Sequence, residues 1–499
     1  MLRRHLLAAA AALSLLVAGQ AAQAGRDVLV VDLVNEPSSL DPHIQWNPDS
    51  YYVYRNIFDN LVTRDDAGRI VPQIATAWRQ ISDTVVEFDI RQGVTFHDGS
   101  PLTAEDVAFS IRRIIDPELK SPQFSQFNRI DKAEVVDGTK VRLTTKGPYP
   151  VLLAQLVKLS IVPKAHVERV GKDEFNLKPM GSGPYRFAGW QRGVRVTLEA
   201  NPNYWGDKPT FPKAEFNAVP DVATRMANLR SGRSDLAVTL GPDQAAELKN
   251  DPRAQVLSVL TERVAYLRLN AAHGPLTDVR LRRAVAAALD RTTLVEALLG
   301  NYDKVVDVLG SPASFGFVEG VPGPKFDPAA AKKAVAELGA AAQQEMTFAT
   351  APVFDQRIVQ ALHQMLTDAG LKVRITSSDM QTYLRRSTGP AADAGDFAFG
   401  RWSCACQDAD GMVEPLYHSR SIWAKYANPE MDAALEAARS TLDEKQRLEH
   451  YRKVHEIAAR DVPMIPLYQA AILYGASKKL QWKPTPNESM FINRMRWVD

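Results

Sequence analysis

The chain has 499 residues, with 60 Lys and Arg against 58 Asp and Glu and a formal net charge of +2. That balance lacks the broad basic field that nucleic acid or an anionic membrane surface requires, which excludes both as main partners. The length allows roughly three domains of about 150 residues, and two cysteines are too few for a disulfide framework to hold them.

Residues 1–24 join a basic start, Arg3 and Arg4, to an apolar stretch from Leu6 to Val17 that closes on Ala22-Gln23-Ala24. This pattern predicts a secretory leader cut after Ala24, because the run falls short of the roughly 20 apolar residues of a membrane span. Gly25 follows the cut, so the cysteine of a simple lipid anchor is missing. With no second such run, a soluble mature chain in a bacterial periplasm is expected, formally neutral once Arg3 and Arg4 are gone.

The stretch VLVVDLV (28–34) reads as a buried strand, and PSSLDPH (37–43) has the Pro, Ser and Asp of a strand-to-helix turn. His97-Asp98 resembles a base and its orienter, but neighbours on an extended segment point to opposite sides. Asp98-Gly99 marks a turn instead. Thr103 is placed to cap a helix carrying Val107, Ile111, Ile114 and Ile115 at helical spacing, and Pro117 stops it. Residues 134–145 read as a hairpin about Asp137-Gly138, a dipeptide that accepts positive φ. Val194, Val196 and Leu198 alternate with polar residues, as in a strand with one buried face. Past AYLRLN (265–270), one long helix is predicted from about Val279 to Leu299, ended by Gly300. A helix through Ile358, Leu362, Met365 and Leu366 closes at Gly370. The strand LKVRITS, a further helix and the strand DFAFGRW follow. This alternation predicts a second α/β body with a largely parallel sheet. A polar helix over 443–460 precedes a return through PLYQAAILYG.

The stretch RWSCACQDADG (401–411) holds both thiols and two carboxylates. A zinc-like site lacks two further ligands at any usual spacing, the nearest histidine being His418. A disulfide across one residue presses against normal geometry, although an oxidising compartment favours it. Buried small side chains at the carboxyl end of a strand, where open α/β lobes bind ligands, give a pocket wall; that is the leading reading. HExxH, GxSxG, Walker and GxGxxG motifs are absent from the sequence, which disfavours a secreted hydrolase.

Several blocks together resemble a known family: PSSLDPH, NIFDNLVTRD (56–65), FDIRQGVTFHDGSPLTAEDVAFSIRR (88–113), GSGPYRF with LEANPNYWGDKP, and LNAAHGPLTDVRLRRAVAAALDR (269–291). In order and spacing these are similar to the bacterial extracellular solute-binding proteins of the dipeptide, oligopeptide and nickel class, the periplasmic components of ABC importers. The resemblance covers nearly the whole mature chain. It implies an α/β, two-lobe periplasmic binding protein with a hinge and an extra subdomain in the first lobe. The expected divisions are a first lobe over 25–268 with its subdomain at about 70–180, a second lobe over 269–474, and a return to the first lobe over 475–499. Hinge strands are expected near Leu269 and near residues 470–480.

The resemblance also implies a site. Peptide-binding members carry, three residues after the tryptophan matching Trp402, an aspartate for the solute's amino group; here that position is Ala405. Loss of such a charge-assisted partner removes on the order of 1.5–3 kcal/mol from recognition of an amine, so a solute other than, or larger than, a simple dipeptide is expected. Asp408 or Asp410 could compensate, although Asp408 matches the loop's second aspartate. The second-lobe wall is then Trp402, Ser403, Cys404, Ala405, Cys406 and Asp408. Arg357 lies close to where dipeptide-binding members place an arginine for a carboxylate, with a solvated helix arginine as the alternative. Ser38, Ser39, Leu40 and Tyr51 are the expected opposite wall. The implied partners are a peptide-like solute and an inner-membrane ABC permease, with the chain a monomer. No catalytic group, cofactor or metal is called for, and a metal or nickel-chelate receptor of the same fold is the alternative.

Overall fold

The computed structural model describes residues 27–44 and 47–498; the expected leader over 1–24 lies outside the described residues. Strand β1 (Val28–Leu33) is apolar nearly throughout because it is paired on both edges, with parallel neighbours on either side. The turn PSSLDPH leads to helix α1 (Pro48–Tyr54), capped by the Asn47 side chain. Four antiparallel strands then form a separate sheet: β2 (Ala75–Ser82), β3 (Val85–Ile90), β4 (Ile130–Asp137) and β5 (Lys140–Thr145), in the order β2-β3-β5-β4. Helix α2 (Ala104–Ile114) covers it, burying Val107, Ile111 and Ile114 against Phe88, Val141 and Leu143. The Asp106 carboxylate fixes the start of α2 by accepting from Thr103 N at 2.9 Å and Thr103 Oγ1 at 2.7 Å.

Two turns show how local chemistry sets the chain direction. The β4–β5 hairpin closes at Asp137–Lys140 as its sequence predicts. Neither Asp137 nor Gly138 takes a positive φ, however. The Asp137 carboxylate shapes the turn instead, accepting from Thr139 N at 2.8 Å and Thr139 Oγ1 at 2.7 Å. At residues 96–100 the turn forms with Gly99 at φ +87°. His97 is bound to Gly183 O at 3.1 Å, and burial lowers its pKa to about 4. It is a neutral structural imidazole.

The first lobe continues through β6 (Tyr185–Gln191), β7 (Arg195–Ala200), β8 (Lys213–Ala218) and β9 (Leu236–Leu240) before the long strand β10 (Ala254–Leu269). In the second lobe, the single helix expected over 279–299 is two: α3 (Val279–Ala288) and α4 (Arg291–Leu299). Leu289 is extended and Asp290 caps α4 through Thr293 N at 3.0 Å, so a new N-terminus starts inside an otherwise periodic run. Strand β11 (Met346–Thr350), helix α5 (Gln356–Asp368), β12 (Val373–Ser377) and β13 (Phe397–Trp402) follow, then α6 (Asp410–Tyr417), α7 (Pro429–Ser440), α8 (Glu444–Asp461) and β14 (Met464–Ser477). The parallel part of this lobe is confined to β12-β11-β13, because β13 pairs antiparallel with β10.

Both lobes share one eleven-stranded sheet, whose main path runs β12-β11-β13-β10-β14-β9-β1-β8-β7-β6. Its centre is the antiparallel pair β10 and β14, 16 and 14 residues long. At one end β14 pairs with β9, Leu236 opposite Ala476. At the other end β10 pairs with β13, Val264 opposite Trp402. Between them the register shifts, from Leu260–Ala471 to Val264–Gln469. The lobes are therefore joined by two strands with a break in their ladder.

Candidate functional site: the cleft between the lobes

A cavity of about 310 Å3 opens at that break. The first lobe supplies Pro48, Tyr52, Thr239, Leu240 and Pro242; β10 supplies Thr261 and Arg263; the second lobe supplies Leu299, Asp303, Asp355, Ile358, Arg401 and Tyr468. Apolar walls with a few charged groups from several elements suit capture of a small polar molecule.

Most of those charges are already engaged. Arg263 pairs with Glu488 at 3.0 Å. Asp355 caps α5 through Arg357 N at 2.9 Å and pairs with the Arg357 guanidinium at 2.8 Å. Asp303 accepts from Ala471 N at 3.0 Å, and burial raises its carboxyl to about 6. Arg401 differs. Among the described residues its side chain makes no hydrogen bond or ion pair; the residue is exposed, and the protein around its guanidinium, followed by the like charge of Arg263, lowers its pKa below the usual arginine value.

Strand alternation explains why Arg401 faces the cavity. Phe397 and Phe399 lie in the core between β13 and the helices α3, α4 and α5, and Arg401 continues their face beyond that core. Trp402 lies on the other face, its ring edge-on to Trp423 at 5.4 Å and its Nε1 donating to Gly411 O at 2.8 Å. A cationic residue continuing an apolar strand face was the sequence signal for Arg401. The reading of 401–411 passed over it by concentrating on the thiols.

Cys404 and Cys406 form a disulfide. The reading of them as free small side chains is thereby corrected: they are small and largely buried, but joined. The bridge packs on Gly411, where a Cβ would lie 2.4 Å from Cys404 Sγ, and both residues pack against the core of the β2–β5 sheet in the first lobe. Arg64 of the first lobe donates to Cys406 O. Ala405 is buried between the two cysteines, and the Ser403 side chain is half-buried. This loop is thus where the second lobe meets the first.

Asp408 is committed elsewhere. Its two oxygens accept from Arg447 Nη2 at 2.6 Å and Nη1 at 2.8 Å, a buried fork-to-fork pair joined by Tyr451 Oη at 3.2 Å. Asp410 pairs with Arg439 at 2.8 Å, and burial raises its carboxyl to about 6. Neither takes the place left open at Ala405.

In the first lobe, PSSLDPH is tied inward. Ser39 Oγ donates to Asn176 Oδ1 at 2.8 Å, Leu40 N donates to the same atom at 2.7 Å, and the Leu40 side chain is wholly buried. Ser38 Oγ accepts from Asn47 Nδ2 at 2.6 Å. Asp41 forms a buried pair with Arg113 of α2 at 2.5 Å. Tyr51 Oη meets Ser489 Oγ at 2.8 Å, while its neighbour Tyr52 lines the cavity. Arg357 is not among the residues that line the cavity; it pairs with Asp355, which does, and reaches Asp243 of the first lobe at 3.3 Å.

Beside the cavity, Glu262 of β10 is buried with Oε2 unpartnered. Burial, followed by the charge of Glu488, raises its carboxyl to about 8. Among the described residues no group of three or more His, Cys, Asp or Glu side chains gathers to hold a metal.

Residues 69–423 match the family described as bacterial extracellular solute-binding proteins, family 5. The chain belongs to that family. As a family 5 solute-binding protein it is 30% identical over 467 residues to Protein XP55 of Streptomyces lividans, covering 87% of this chain and 82% of that one. It is 26% identical over 493 residues to the glutathione-binding protein GsiB of Salmonella typhimurium, covering 95% of each. The same two-lobe fold occurs in the ABC transporter substrate binding protein CtaP of Listeria monocytogenes, with a TM-score of 0.87 at 23% identity over 95% of this chain and 99% of that one. No helix among the described residues of this family 5 protein is long and apolar enough to cross a membrane.

Proposed function

We propose that this protein captures a peptide-like solute between its lobes in the periplasm and delivers it, chemically unchanged, to an inner-membrane ABC permease. In this reading the leader is cut after Ala24, the mature chain works as a monomer, and no group in it carries out catalysis. The observation that carries the reading is the cavity itself. It is walled by both lobes and lies at the ladder break of the two strands that join them, so hinge motion there opens and closes the site. We place the passage between lobes at Thr261–Arg263 and Ala470, with the first lobe before it, the β2–β5 sheet as its subdomain, and the chain after about residue 475 returning to it. Arg357 contributes through Asp355, the disulfide loop at the lobe contact, and the Ser38–Leu40 turn by bracing the first-lobe wall. The name of GsiB, a receptor for a tripeptide thiol, supports a peptide-like solute.

Small-angle scattering of the mature chain, with and without tripeptides, tests this. A fall in radius of gyration that saturates with solute, and with no product formed, is the expected result. Saturable binding with turnover of the peptide overturns the receptor reading.

A further inference from the structure

The loop that carries the disulfide is fixed to the second lobe at its two ends and meets the first lobe in between. Upstream, β13 stays in its ladder as far as Trp402, opposite Val264. Downstream, Gln407 Nε2 donates to Ala313 O at 2.9 Å, Phe315 N donates to Gln407 O at 3.0 Å, and Asp408 is held by Arg447. Among the described residues Ser403 and Ala405 make no hydrogen bond, and the Cys404–Cys406 bridge closes the turn around them. Cys406 is wholly buried and packs, with Cys404, on the core of the β2–β5 sheet across the lobe boundary. Its carbonyl accepts the hydrogen bond from Arg64 of the first lobe. Behind the bridge there is no room, since a Cβ on Gly411 would lie 2.4 Å from Cys404 Sγ and 2.9 Å from Cys406 Sγ. Two sulfurs no longer bonded must move apart to van der Waals contact. With Gly411 against them, they move toward the first lobe, into a packed contact that does not absorb the extra volume freely.

Resting on the receptor reading above, we propose that the Cys404–Cys406 bridge positions the second-lobe face of the lobe contact, so that closure on solute is tighter with the bridge intact and the closed, solute-filled protein resists reduction. Opening the bridge is a thiol exchange. The thiolate of a small thiol attacks Cys404 Sγ, the half-buried sulfur; the Cys404–Cys406 bond breaks, and its electron pair leaves on Cys406 Sγ, which takes up a proton. A second small thiolate then attacks its counterpart in the mixed disulfide, and Cys404 leaves as a thiolate and is protonated. The bridge gains two electrons and two protons, and two small thiols are oxidised to their own disulfide. Linkage makes the two effects one: the factor by which reduction weakens solute binding is the factor by which solute shifts the bridge toward the disulfide.

The test joins two measurements on the mature protein with trialanine and trileucine. Calorimetry compares the oxidised protein with protein reduced by a phosphine and with the double variant Cys404→Ser, Cys406→Ser; loss of the bridge is expected to weaken binding about 5- to 50-fold. Equilibration in mixtures of mercaptoethanol and its disulfide, quenched by alkylation and read by mass spectrometry, is expected to show saturating peptide shifting the bridge toward the disulfide by the same factor. Should one bridgeless form fail to fold, the other supplies the comparison; unfolding of both assigns the bridge to the fold and not to the lobe contact, and overturns this inference. Equal affinity with and without the bridge, or a redox equilibrium that bound peptide leaves unmoved, also overturns it and leaves the receptor reading standing. Binding of neither peptide by the oxidised protein overturns the peptide-receptor reading and this inference with it.

Discussion

Glu262 shows how one side chain can register pH without taking part in recognition. It lies on β10 one residue before Arg263, within the stretch where the strand's register shifts, and its carboxyl is buried with one oxygen unpartnered. Its pKa rises from 4.5 to about 8, chiefly through burial. Between those values the folded chain keeps a proton that the unfolded chain has released, so this group lowers stability progressively as pH rises through the window. Glu262→Gln is expected to melt above wild type by a margin that widens from pH 5 to pH 8 and is flat beyond. Thermal unfolding followed by circular dichroism at several pH values measures it. A margin that narrows with rising pH would mean that nearby Arg64 and Lys158 hold the carboxylate ionised.

At the scale of elements, the break between α3 and α4 is the clearest departure from periodicity. Apolar spacing runs on from Leu281 through Leu289 to Leu294, which is why one helix is predicted there. Tertiary packing divides the run instead: Asp290 turns the chain and bonds both Thr293 N and Thr293 Oγ1, at 3.0 and 2.8 Å. Asp290→Ala removes that cap and is expected to cost about 1 kcal/mol, read as a lower urea midpoint with unchanged slope. Binding should be untouched, since α4 reaches the cavity only through Leu299. The strand β13 makes a related point. Its alternation was visible from the start, and it places Arg401 and Trp402 on opposite faces, so the cleft receives one and the core the other.

For the molecule as a whole, closure brings together charges far apart in sequence. Arg357 reaches Asp243 across the lobes at 3.3 Å, with both side chains at least half exposed. Exposed pairs of this kind contribute only about 0.2–1 kcal/mol, and salt screens them. Asp243→Asn is therefore expected to weaken solute binding by no more than about 5-fold, and the difference should vanish at about 1 M salt, where the screening length is near 3 Å. Calorimetry at low and high salt distinguishes this latch from an anchor: a much larger, salt-insensitive loss would assign Arg357 and Asp243 to the solute itself.

The amino-acid sequence by itself determined the α/β class, the turns, the capped helix α2, the hairpin at Asp137 and the family, because local hydrogen bonding and the two periods of apolar spacing are written within a few residues of one another. It also left no carboxylate at Ala405. Only the tertiary structure decided that Asp408 is spent on Arg447, that Ser39 and Leu40 are held by Asn176, that the cysteines bridge against the first lobe, and that Arg401 alone among the cavity's charges lacks a partner. Those outcomes depend on groups 39 to more than 300 residues apart in the chain, and which charge finds a counter-charge is settled only when the lobes pack.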